Sequence, residues 1–328
     1  MRASIAGTGS SVPKRVVDNA EMASLVETTD EWIRTRTGIR ERRVSDGQST
    51  WQMAEEAAKA ALQDAGMNAY ELDLIVVSTV TPDYYTPSMS CLLQGRLGAN
   101  RAAAFDINAA CSGFAYGLDI CARYIESGRV TKALLVCAES LTKITDYTDR
   151  NTCVLFGDGA GAVVIRASEA AGILDTYIAA DGSGAAMLTA KALPASNPFS
   201  PEPGPDVLDS RADRFISMDG KEVYKFAVKA MPEAIDKVLA SAGRSIDEVS
   251  YIIPHQANIR IIESVIEKYG LDPDKVLITL DRYGNTSSAS IPTGLDELNK
   301  AGKLKRGDLV LAVGFGAGLT YGSALIEW

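Results

Sequence analysis

The sequence contains a single histidine, His255, among its 328 residues. Any reaction that needs an imidazole must therefore use this one side chain. Histidine changes its charge near neutral pH and often serves as a general acid or base. A lone histidine is about as often a buried core residue as a catalytic group, so its position in the fold must decide between these two interpretations.

Cysteine is also scarce. The chain has five, and they are Cys91, Cys111, Cys121, Cys137 and Cys153. Their number is odd and no two of them form a Cys-X-X-Cys pair, which argues against a disulfide framework and against a structural zinc site. Most of them are expected to be small core residues.

Basic runs are missing. The chain has 33 Lys and Arg residues against 42 Asp and Glu residues, a formal net charge of −9, and no basic run is longer than the pair 42–43. An extended nucleic-acid-binding surface is therefore excluded. An acidic partner would need a local basic patch.

Long hydrophobic runs are missing as well. No stretch reaches the roughly 18 consecutive apolar residues of a membrane-spanning helix, and residues 1–13 lack the basic and then apolar pattern of a signal peptide. Hydrophobic residues make up 46% of the chain and charged residues 23%, as in ordinary globular proteins. We therefore expect a cytoplasmic protein that does not associate with membranes.

Two parts of the chain repeat one pattern. An Ala-Gly pair at 65–66 precedes the apolar run 74–77, and another at 242–243 precedes the run 251–254 at the same spacing. Later in each part, a Phe-Gly-X-Gly segment precedes a further apolar run. Such patterns also recur by chance in α/β proteins, but here they favour two similar halves.

Short apolar runs alternate with segments of helical periodicity, which predicts an α/β fold. The runs 133–137 and 309–313 are apolar on both faces, as strands are when helices cover both sides of a sheet. A further strand is predicted at 276–280. The proline-rich segment 194–213 suits neither a helix nor a central strand, so we expect a surface excursion there. Helices are expected at 50–65, 111–127, 223–242 and 259–269.

Cys111 opens the amphipathic segment that closes at Gly128, after the apolar segment 103–108. This pattern places the thiol at a helix N-terminus. There the helix dipole and the free N–H groups favour a thiolate, which predicts a lowered pKa, and they supply donors for an oxyanion. On this local evidence alone, a buried structural cysteine is still the more common case.

His255 and Asn285 also follow predicted strands. Most loops of the Gly-Asn kind are ordinary turns. In the repeated pattern, however, the loop 284–288 occupies the place that 108–111 has in the first half. We therefore expect Cys111 and Asn285 to face each other across a pseudo-twofold axis, with His255 at the same end of its sheet.

Three separated blocks of the sequence resemble the signature blocks of the β-ketoacyl-acyl carrier protein synthase III family, in the same order and at the same spacing. They are DINAACSGF at 106–114, HQAN at 255–258 and GNTSS at 284–288. The resemblance extends over essentially the whole chain, from TTDEWIRTRTGI at 28–39 to GFGAGLTYGS at 314–323.

This resemblance implies the thiolase fold, a five-layered αβαβα arrangement of two similar halves, in a homodimer. We place the half that carries the nucleophilic cysteine at 1–170 and the half that carries the histidine and the asparagine at 171–328. The implied reaction has two steps. A primer acyl-CoA acylates the cysteine, and malonyl-acyl carrier protein is then decarboxylated and condensed to a 3-oxoacyl product.

The resemblance assigns this chemistry to Cys111, His255 and Asn285. Cys111 attacks the thioester as a thiolate, and the backbone N–H groups of Cys111 and Ala317 hold the oxyanion. His255 and Asn285 donate hydrogen bonds to the malonyl thioester oxygen as CO₂ leaves. Because decarboxylation creates the carbanion without proton abstraction, neither group needs to be a base, and no metal or redox cofactor is required.

Matching positions also imply a CoA-binding groove. Trp32 and Arg150 match the pair that sandwiches the adenine, and Arg36 matches a phosphate contact. Without the resemblance, Trp32 would be interpreted as an ordinary helix residue and the two arginines as solvated charges. Thr28 and Asn258 match contacts along the nucleotide and the pantetheine.

Other matching positions concern the carrier protein and the primer. Lys225 and Arg260 match the patch that docks the acidic carrier protein, although ordinary exposed charges are the alternative. Many acetyl-preferring members carry Phe at the end of the primer pocket, whereas this chain has Thr86, which leaves room for a longer primer. The segment 194–213 is longer than in typical members and lies where the family shapes the acyl channel.

We therefore predict a cytoplasmic condensing enzyme that starts fatty acid chains from an acyl-CoA and malonyl-acyl carrier protein. An alternative within the same fold is an acyltransferase or condensing enzyme of a specialised pathway that uses a longer primer. An alternative from another class is a non-catalytic scaffold that binds carrier proteins. The presence of Cys111, His255 and Asn285 together argues against the scaffold.

Overall fold

The computed structural model describes residues 2–170, 172–193, 198–199, 208 and 214–328. Most of the proline-rich segment 194–213, for which we predict a surface excursion, lies outside the described residues. Within the described chain, no helix is both long enough and apolar enough to span a bilayer.

In the described residues, the strands form two main sheets and two short two-stranded ribbons. In chain order, the strands are β1 (Arg2–Ser11), β2 (Val16–Asp18), β3 (Glu41–Arg43), β4 (Leu74–Ser78), β5 (Ala103–Ile107), β6 (Lys132–Ser140), β7 (Asp158–Ser168), β8 (Ile173–Ala180), β9 (Leu188–Thr189), β10 (Ser217–Met218), β11 (Val249–Pro254), β12 (Leu309–Gly316) and β13 (Thr320–Glu327).

The helices cover both faces of these sheets. In chain order, they are α1 (Asn19–Met22), α2 (Asp30–Thr37), α3 (Thr50–Asp64), α4 (Met89–Leu97), α5 (Gly113–Glu126), α6 (Arg150–Cys153), α7 (Gly220–Ala242), α8 (Ile259–Tyr269), α9 (Leu280–Tyr283) and α10 (Ser290–Lys300).

The two main sheets use separate parts of the chain. The first sheet has the order β1-β7-β6-β4-β5, and the second has the order β11-β12-β13-β8. Strand β4 runs parallel to β5 and β6, and β11 runs parallel to β12, while the other pairs in these sheets are antiparallel. The chain changes sheets between Ser168 and Ile173. This change supports our division at residue 170, which stays a proposal.

Side-chain packing arranges these elements in five layers. Helices α5 and α10 lie between the sheets, where Phe114 and Ile291 share one core cluster with Val76 and Val310. Helices α3 and α4 pack on the outer face of the first sheet, and α7 and α8 pack on the outer face of the second. The core strands are therefore apolar on both faces, and the predicted five-layered fold is confirmed.

One predicted strand is wrong. In 276–280 only a single bridge forms, between Ile252 and Val276. The Gln256 side chain replaces the missing strand partner, because its amide nitrogen donates to Leu277 O and its oxygen accepts from the N–H groups of Thr279 and Leu280. A buried side chain thus satisfies backbone groups that a strand ladder would otherwise pair.

Candidate active site

Two similar turns approach each other between the sheets. A single 3₁₀ turn, Ala110–Ser112, precedes α5, and another, Ser287–Ala289, precedes α10. Their first residues, Ala110 and Ser287, have φ values of 44° and 50°, in the left-handed region that non-glycine residues seldom adopt. Cys111 and Ser288 therefore occupy equivalent positions in the two halves.

The asparagine before each turn makes the same local hydrogen bond. Asn108 Oδ1 accepts from Ala110 N at 3.3 Å, and Asn285 Oδ1 accepts from Ser287 N at 2.8 Å. Asparagine side chains commonly close turns in this way. The same two-residue spacing in both halves explains why the sequences of these loops look alike.

The backbone of β12 lies directly against Cys111. A Cβ atom on Gly316 would be 2.5 Å from the backbone nitrogen of Cys111. A Cβ atom on Gly314 would be 3.1 Å from Cys111 O and 3.7 Å from the Cβ of His255. Glycine at these two positions is what allows the nucleophile and the histidine to approach the strand so closely.

The end of β12 is also tied to the Cys111 turn. The Thr320 hydroxyl contacts the carbonyls of Ala109 at 2.9 Å and Ala317 at 3.0 Å, and it lies 3.1 Å from the Ser112 hydroxyl. These contacts hold the Ala317 backbone close to the Cys111 turn. Ala317 itself is not among the residues that line the cavity described below, whereas Gly316 is.

The predicted direction of the Cys111 pKa is wrong for the free protein. The pKa of the thiol is raised to about 12, chiefly by burial; the charge of Glu139 also raises it, while the Ser287 hydroxyl lowers it. Cys111 lies in the 3₁₀ turn, and α5 begins two residues later at Gly113 rather than at Cys111. Loss of hydration therefore outweighs the helix dipole at this position.

Asn285 is held so that its amide nitrogen has no hydrogen-bond partner among the described residues and can act as a donor. Its backbone is fixed by a hydrogen bond to Leu155 O at 2.8 Å and by one from Gly157 N at 3.0 Å. Its side-chain oxygen accepts from Ser287 N, and the residue lines the cavity. The amide group can therefore stabilise negative charge on an oxygen.

His255 is buried and neutral. Its backbone N–H donates to Val313 O at 2.8 Å, and the Phe315 ring packs against the imidazole at a centroid distance of 5.6 Å. Burial lowers the pKa of His255 to about 3. Its Nδ1 lies 2.8 Å from Ser290 Oγ, which is in turn 2.9 Å from Ser287 O. The direction of the Ser290 hydroxyl thus sets which ring nitrogen carries the proton.

One cavity of about 1360 Å³ brings Cys111, His255 and Asn285 together. This volume exceeds the range of roughly 300–1,000 Å³ that is typical of small-ligand pockets. The same cavity extends to five more of the residues predicted from the sequence, which are Trp32, Arg36, Lys225, Asn258 and Arg260.

Two arginines stack against Trp32, and of these Arg36 lines the cavity together with the indole. The guanidinium carbons of Arg36 and Arg150 lie 4.8 and 4.9 Å from the centre of the indole ring. Arg150 also donates to Glu27 O at 3.0 Å. Because Arg150 rests directly on the indole, an aromatic base can enter between the two only if the guanidinium moves.

Lys225 and Arg260 are exposed at the cavity edge. Lys225 makes an ion pair with Glu222 at 2.6 Å, and Arg260 donates to Thr35 O at 3.3 Å. Exposed ion pairs of this kind are weak, so an acidic partner can compete for the lysine. Arg260 presents a cationic group close to the same entrance.

Besides Ala317, three predicted residues do not line this cavity, and they are Thr28, Thr86 and Arg150. Thr28 does not line it, and its hydroxyl is buried with no hydrogen-bond partner among the described residues. Thr86 is exposed, next to Tyr84 and Tyr85, whose rings are 56% and 75% exposed. Within this chain, Thr86 therefore forms no wall of the pocket around Cys111.

Sequence reasoning missed Ser287, Ser290 and Glu139. Ser287 lies in the GNTSS block and Ser290 lies two residues after it. Their closeness to Asn285 in the sequence could therefore have indicated that they belong to the site. Glu139 lies near the end of an apolar strand and precedes no recognisable motif, so nothing local indicated that its charge raises the pKa of the thiol. Only the packing of the two halves brings these groups together.

Two protein-family models match the chain. The model described as 3-oxoacyl-[acyl-carrier-protein (ACP)] synthase III matches residues 105–182, and the model of the C-terminal part of the same enzyme matches residues 239–328. The first range contains Cys111, and the second contains His255 and Asn285.

The similarity to individual relatives covers nearly the whole chain. A β-ketoacyl-[acyl-carrier-protein] synthase III of Clostridium acetobutylicum is 49% identical over 324 residues, which are 99% of this chain and 98% of the relative. The crystal structure of 3-oxoacyl-[acyl-carrier-protein] synthase III from Aquifex aeolicus matches with a TM-score of 0.91 and 45% identity, covering 99% of this chain and 100% of the other. The priming β-ketosynthase of the R1128 polyketide pathway matches with a TM-score of 0.90 and 37% identity, covering 99% and 96%.

Proposed function

The chain belongs to the β-ketoacyl-acyl carrier protein synthase III family, and on that premise we propose that Cys111, His255 and Asn285 carry out its reaction. It is an acyl-transferring condensing enzyme that initiates fatty acid synthesis. The observation that carries the assignment of residues is their convergence in one cavity, with the amide nitrogen of Asn285 left free as a donor.

In the first half-reaction, Cys111 takes the acyl group from a primer acyl-CoA. The sulfur forms a bond to the thioester carbonyl carbon, the bond to the CoA sulfur breaks, and the thiol proton ends on CoA. Because burial favours the neutral thiol, removal of this proton accompanies the attack. The N–H groups of Cys111 and Ala317 hold the oxyanion in this proposal.

In the second half-reaction, malonyl-acyl carrier protein loses CO₂ and the resulting enolate attacks the acyl group on Cys111. The new carbon–carbon bond forms as the bond from the acyl carbon to the Cys111 sulfur breaks, so the 3-oxoacyl-acyl carrier protein is released and the Cys111 thiolate takes up a proton from water. The Asn285 amide and the imidazole of His255 donate hydrogen bonds to the enolate oxygen. For His255 this requires the proton on Nε2, so the Ser290 hydroxyl then donates to Nδ1. Neither residue has to remove a proton from carbon.

The outer part of the cavity accommodates the two carriers. Trp32, Arg36 and Arg150 bind the nucleotide of CoA, with the adenine entering where Arg150 now rests on the indole. Thr28 and Asn258 contact the nucleotide and the pantetheine in this proposal. Asn258 lines the cavity, whereas the buried hydroxyl of Thr28 lies outside it and must move to reach the ligand. At the entrance, Lys225 and Arg260 receive the acidic carrier protein.

A homodimer, a cytoplasmic location and the division into halves at residue 170 are also part of this proposal. The exposed tyrosines at 84–85 give a second copy of the chain an apolar surface to cover.

The specialised-pathway alternative is not favoured, because the full-length relatives with the highest identities given above are β-ketoacyl-acyl carrier protein synthases III.

Incubation with competing acyl-CoA primers tests the proposed nucleophile. We expect acetyl-, branched butyryl-, octanoyl- or dodecanoyl-CoA to leave an acyl increment on Cys111, because this is the only cysteine that faces the cavity among the described residues. Intact-protein mass spectrometry identifies the preferred primer from the added mass, and peptide mapping locates it. Absence of an increment with every primer would overturn the acyl-CoA-primed assignment.

Replacement of Thr86 with phenylalanine tests the primer pocket. Since Thr86 is exposed and outside the cavity of its own chain, its proposed role requires a second copy of the chain to place it against the pocket. We expect T86F to shift the competition toward short primers by about tenfold, because one filled pocket end changes discrimination by about that amount. The change Tyr84→Phe is the matched control. Unchanged chain-length selectivity in T86F would show that Thr86 lies outside the pocket.

A further inference from the structure

Glu139 is a buried carboxyl beside the active site that the proposed chemistry does not use. It lies near the end of β6 and has no exposed surface. Its Oε2 accepts from the Thr81 hydroxyl at 2.7 Å and from Val80 N at 3.1 Å. Thr81 Oγ1 in turn accepts from Ser140 N at 2.9 Å, so its own proton must point to the carboxyl. The first half of the chain therefore holds this carboxyl firmly.

The other oxygen of Glu139 reaches into the second half. Its Oε1 lies 3.1 Å from the hydroxyl of Ser288, which is also 3.4 Å from Ser78 O. Ser288 is the second residue of the 3₁₀ turn Ser287–Ala289, where it occupies the position that Cys111 has in the other half. Glu139 thus connects β6 to the turn that follows Asn285.

That turn orients both proposed donors. Its first residue, Ser287, fixes the Asn285 side chain through its N–H group. Ser290, which directly follows the turn at the start of α10, contacts Nδ1 of His255. A shift of the turn would move both donors relative to Cys111. Placement errors of about 1 Å can cost about 100-fold in rate, so the anchor of the turn matters for the chemistry.

The link between Glu139 and Ser288 persists in both protonation states of the carboxyl. The ionised carboxylate accepts from the Ser288 hydroxyl, while the neutral acid donates to Ser288 Oγ, whose own proton then points to Ser78 O. Burial raises the pKa of Glu139 to about 7, so both states occur near neutral pH. The ionisable groups whose pKa values Glu139 raises are the thiols of Cys111 and Cys137, and its hydrogen-bond partners are neutral.

We propose that Glu139 is a positioning residue for condensation, which anchors the Asn285 turn to β6 through the Ser288 hydroxyl. This inference rests on the proposed function, because it assumes that Asn285 and His255 act on the malonyl thioester. Acylation needs Cys111 and the backbone N–H groups but neither of these donors. A loose turn should therefore slow condensation far more than acylation.

The test measures the two half-reactions separately in Glu139→Ala and Ser288→Ala. We expect each change to lower the condensation rate about 10- to 100-fold, while acylation of Cys111 by acyl-CoA changes less than about threefold. If the two residues act through one contact, the double variant is no slower than the slower single variant within about threefold. Asp158→Ala is the matched control, because Asp158 is also a buried carboxyl with neutral hydrogen-bond partners, but these are Ser45 and Thr142 rather than residues of the turn.

Glu139→Gln separates the hydrogen bond from the charge. Its amide oxygen can face Val80 and Thr81 while its NH₂ group donates to Ser288, as the neutral acid does, so we expect condensation within about threefold of wild type. Removal of the negative charge should lower the pH midpoint for iodoacetamide labelling of the Cys111 peptide, and S288A should not lower it.

The outcomes distinguish this inference from the proposed function. If wild type is not acylated at Cys111, the proposed function fails and the inference fails with it. If wild type acylates and condenses normally, any one of three results would overturn the role of Glu139 and leave the proposed function intact. These results are equal losses in both half-reactions, multiplicative losses in the double variant, and no loss in S288A. The Ser288→Ala variant removes only one hydroxyl, so it remains informative if Glu139→Ala fails to fold.

Discussion

Replacement of Cys111 with alanine is expected to abolish acylation and to lower product formation by at least about 10⁴-fold, the order of loss seen when an enzyme loses its nucleophile. Alanine has no atom that can form the thioester intermediate, and the side chains of His255 and Asn285 cannot replace it. Intact-protein mass spectrometry after incubation with the preferred primer should show no acyl increment. Product formation from malonyl-acyl carrier protein should fall in parallel.

The other cysteines supply the control for this result. Cys91 is exposed, whereas Cys121 is buried in α5, ten residues beyond Cys111 and away from the cavity. Cys91→Ala and Cys121→Ala should both keep the acyl increment. An increment that persists in C111A and disappears in C91A would mean that the exposed thiol is the acyl acceptor, and the assignment of Cys111 would then be wrong.

Much of the fold could be predicted from the sequence because its apolar pattern is strong. The helix expected at 259–269 has those bounds in the structure, and the run 133–137 forms the centre of β6. The repeated pattern indicated two similar halves, and the two 3₁₀ turns with positive φ at Ala110 and Ser287 display that similarity at the site. The periodicity of apolar residues and the repeated pattern are enough to predict where strands end, and the proposed site residues lie just after those ends.

What the sequence could not supply depends on contacts between distant segments. The strand expected at 276–280 does not form, because Gln256, about twenty residues earlier, satisfies its backbone. The pKa of Cys111 depends on burial between the two halves, which outweighs the local effect of the helix N-terminus. Likewise, the contact between Glu139 and Ser288 joins residues 149 positions apart. No local pattern reports such contacts.

Replacement of Asn285 with alanine is expected to suppress condensation by about 10² to 10³-fold, the typical effect of losing one donor to an oxyanion. The reason is that the Asn285 amide stabilises the enolate oxygen only after CO₂ begins to leave. Acylation of Cys111 does not use this donor, so its rate should stay within about threefold of wild type. Single-turnover acylation and steady-state condensation, measured on the same preparation, check this difference.

Alanine also removes the hydrogen bond from Ser287 N, so loss of the donor and movement of the turn must be separated. Asn285→Asp does this, because an aspartate oxygen can still accept from Ser287 N while the other oxygen presents negative charge where the amide N–H₂ group stood. If donation is what matters, N285D should condense no faster than N285A, since a carboxylate repels the developing enolate. Asn108→Ala is the matched control, because Asn108 makes the same local bond in the first half. Recovery of condensation in N285D would show that Asn285 acts by holding the turn. Equal loss of acylation and condensation in N285A would exclude a role of Asn285 that is specific to the enolate.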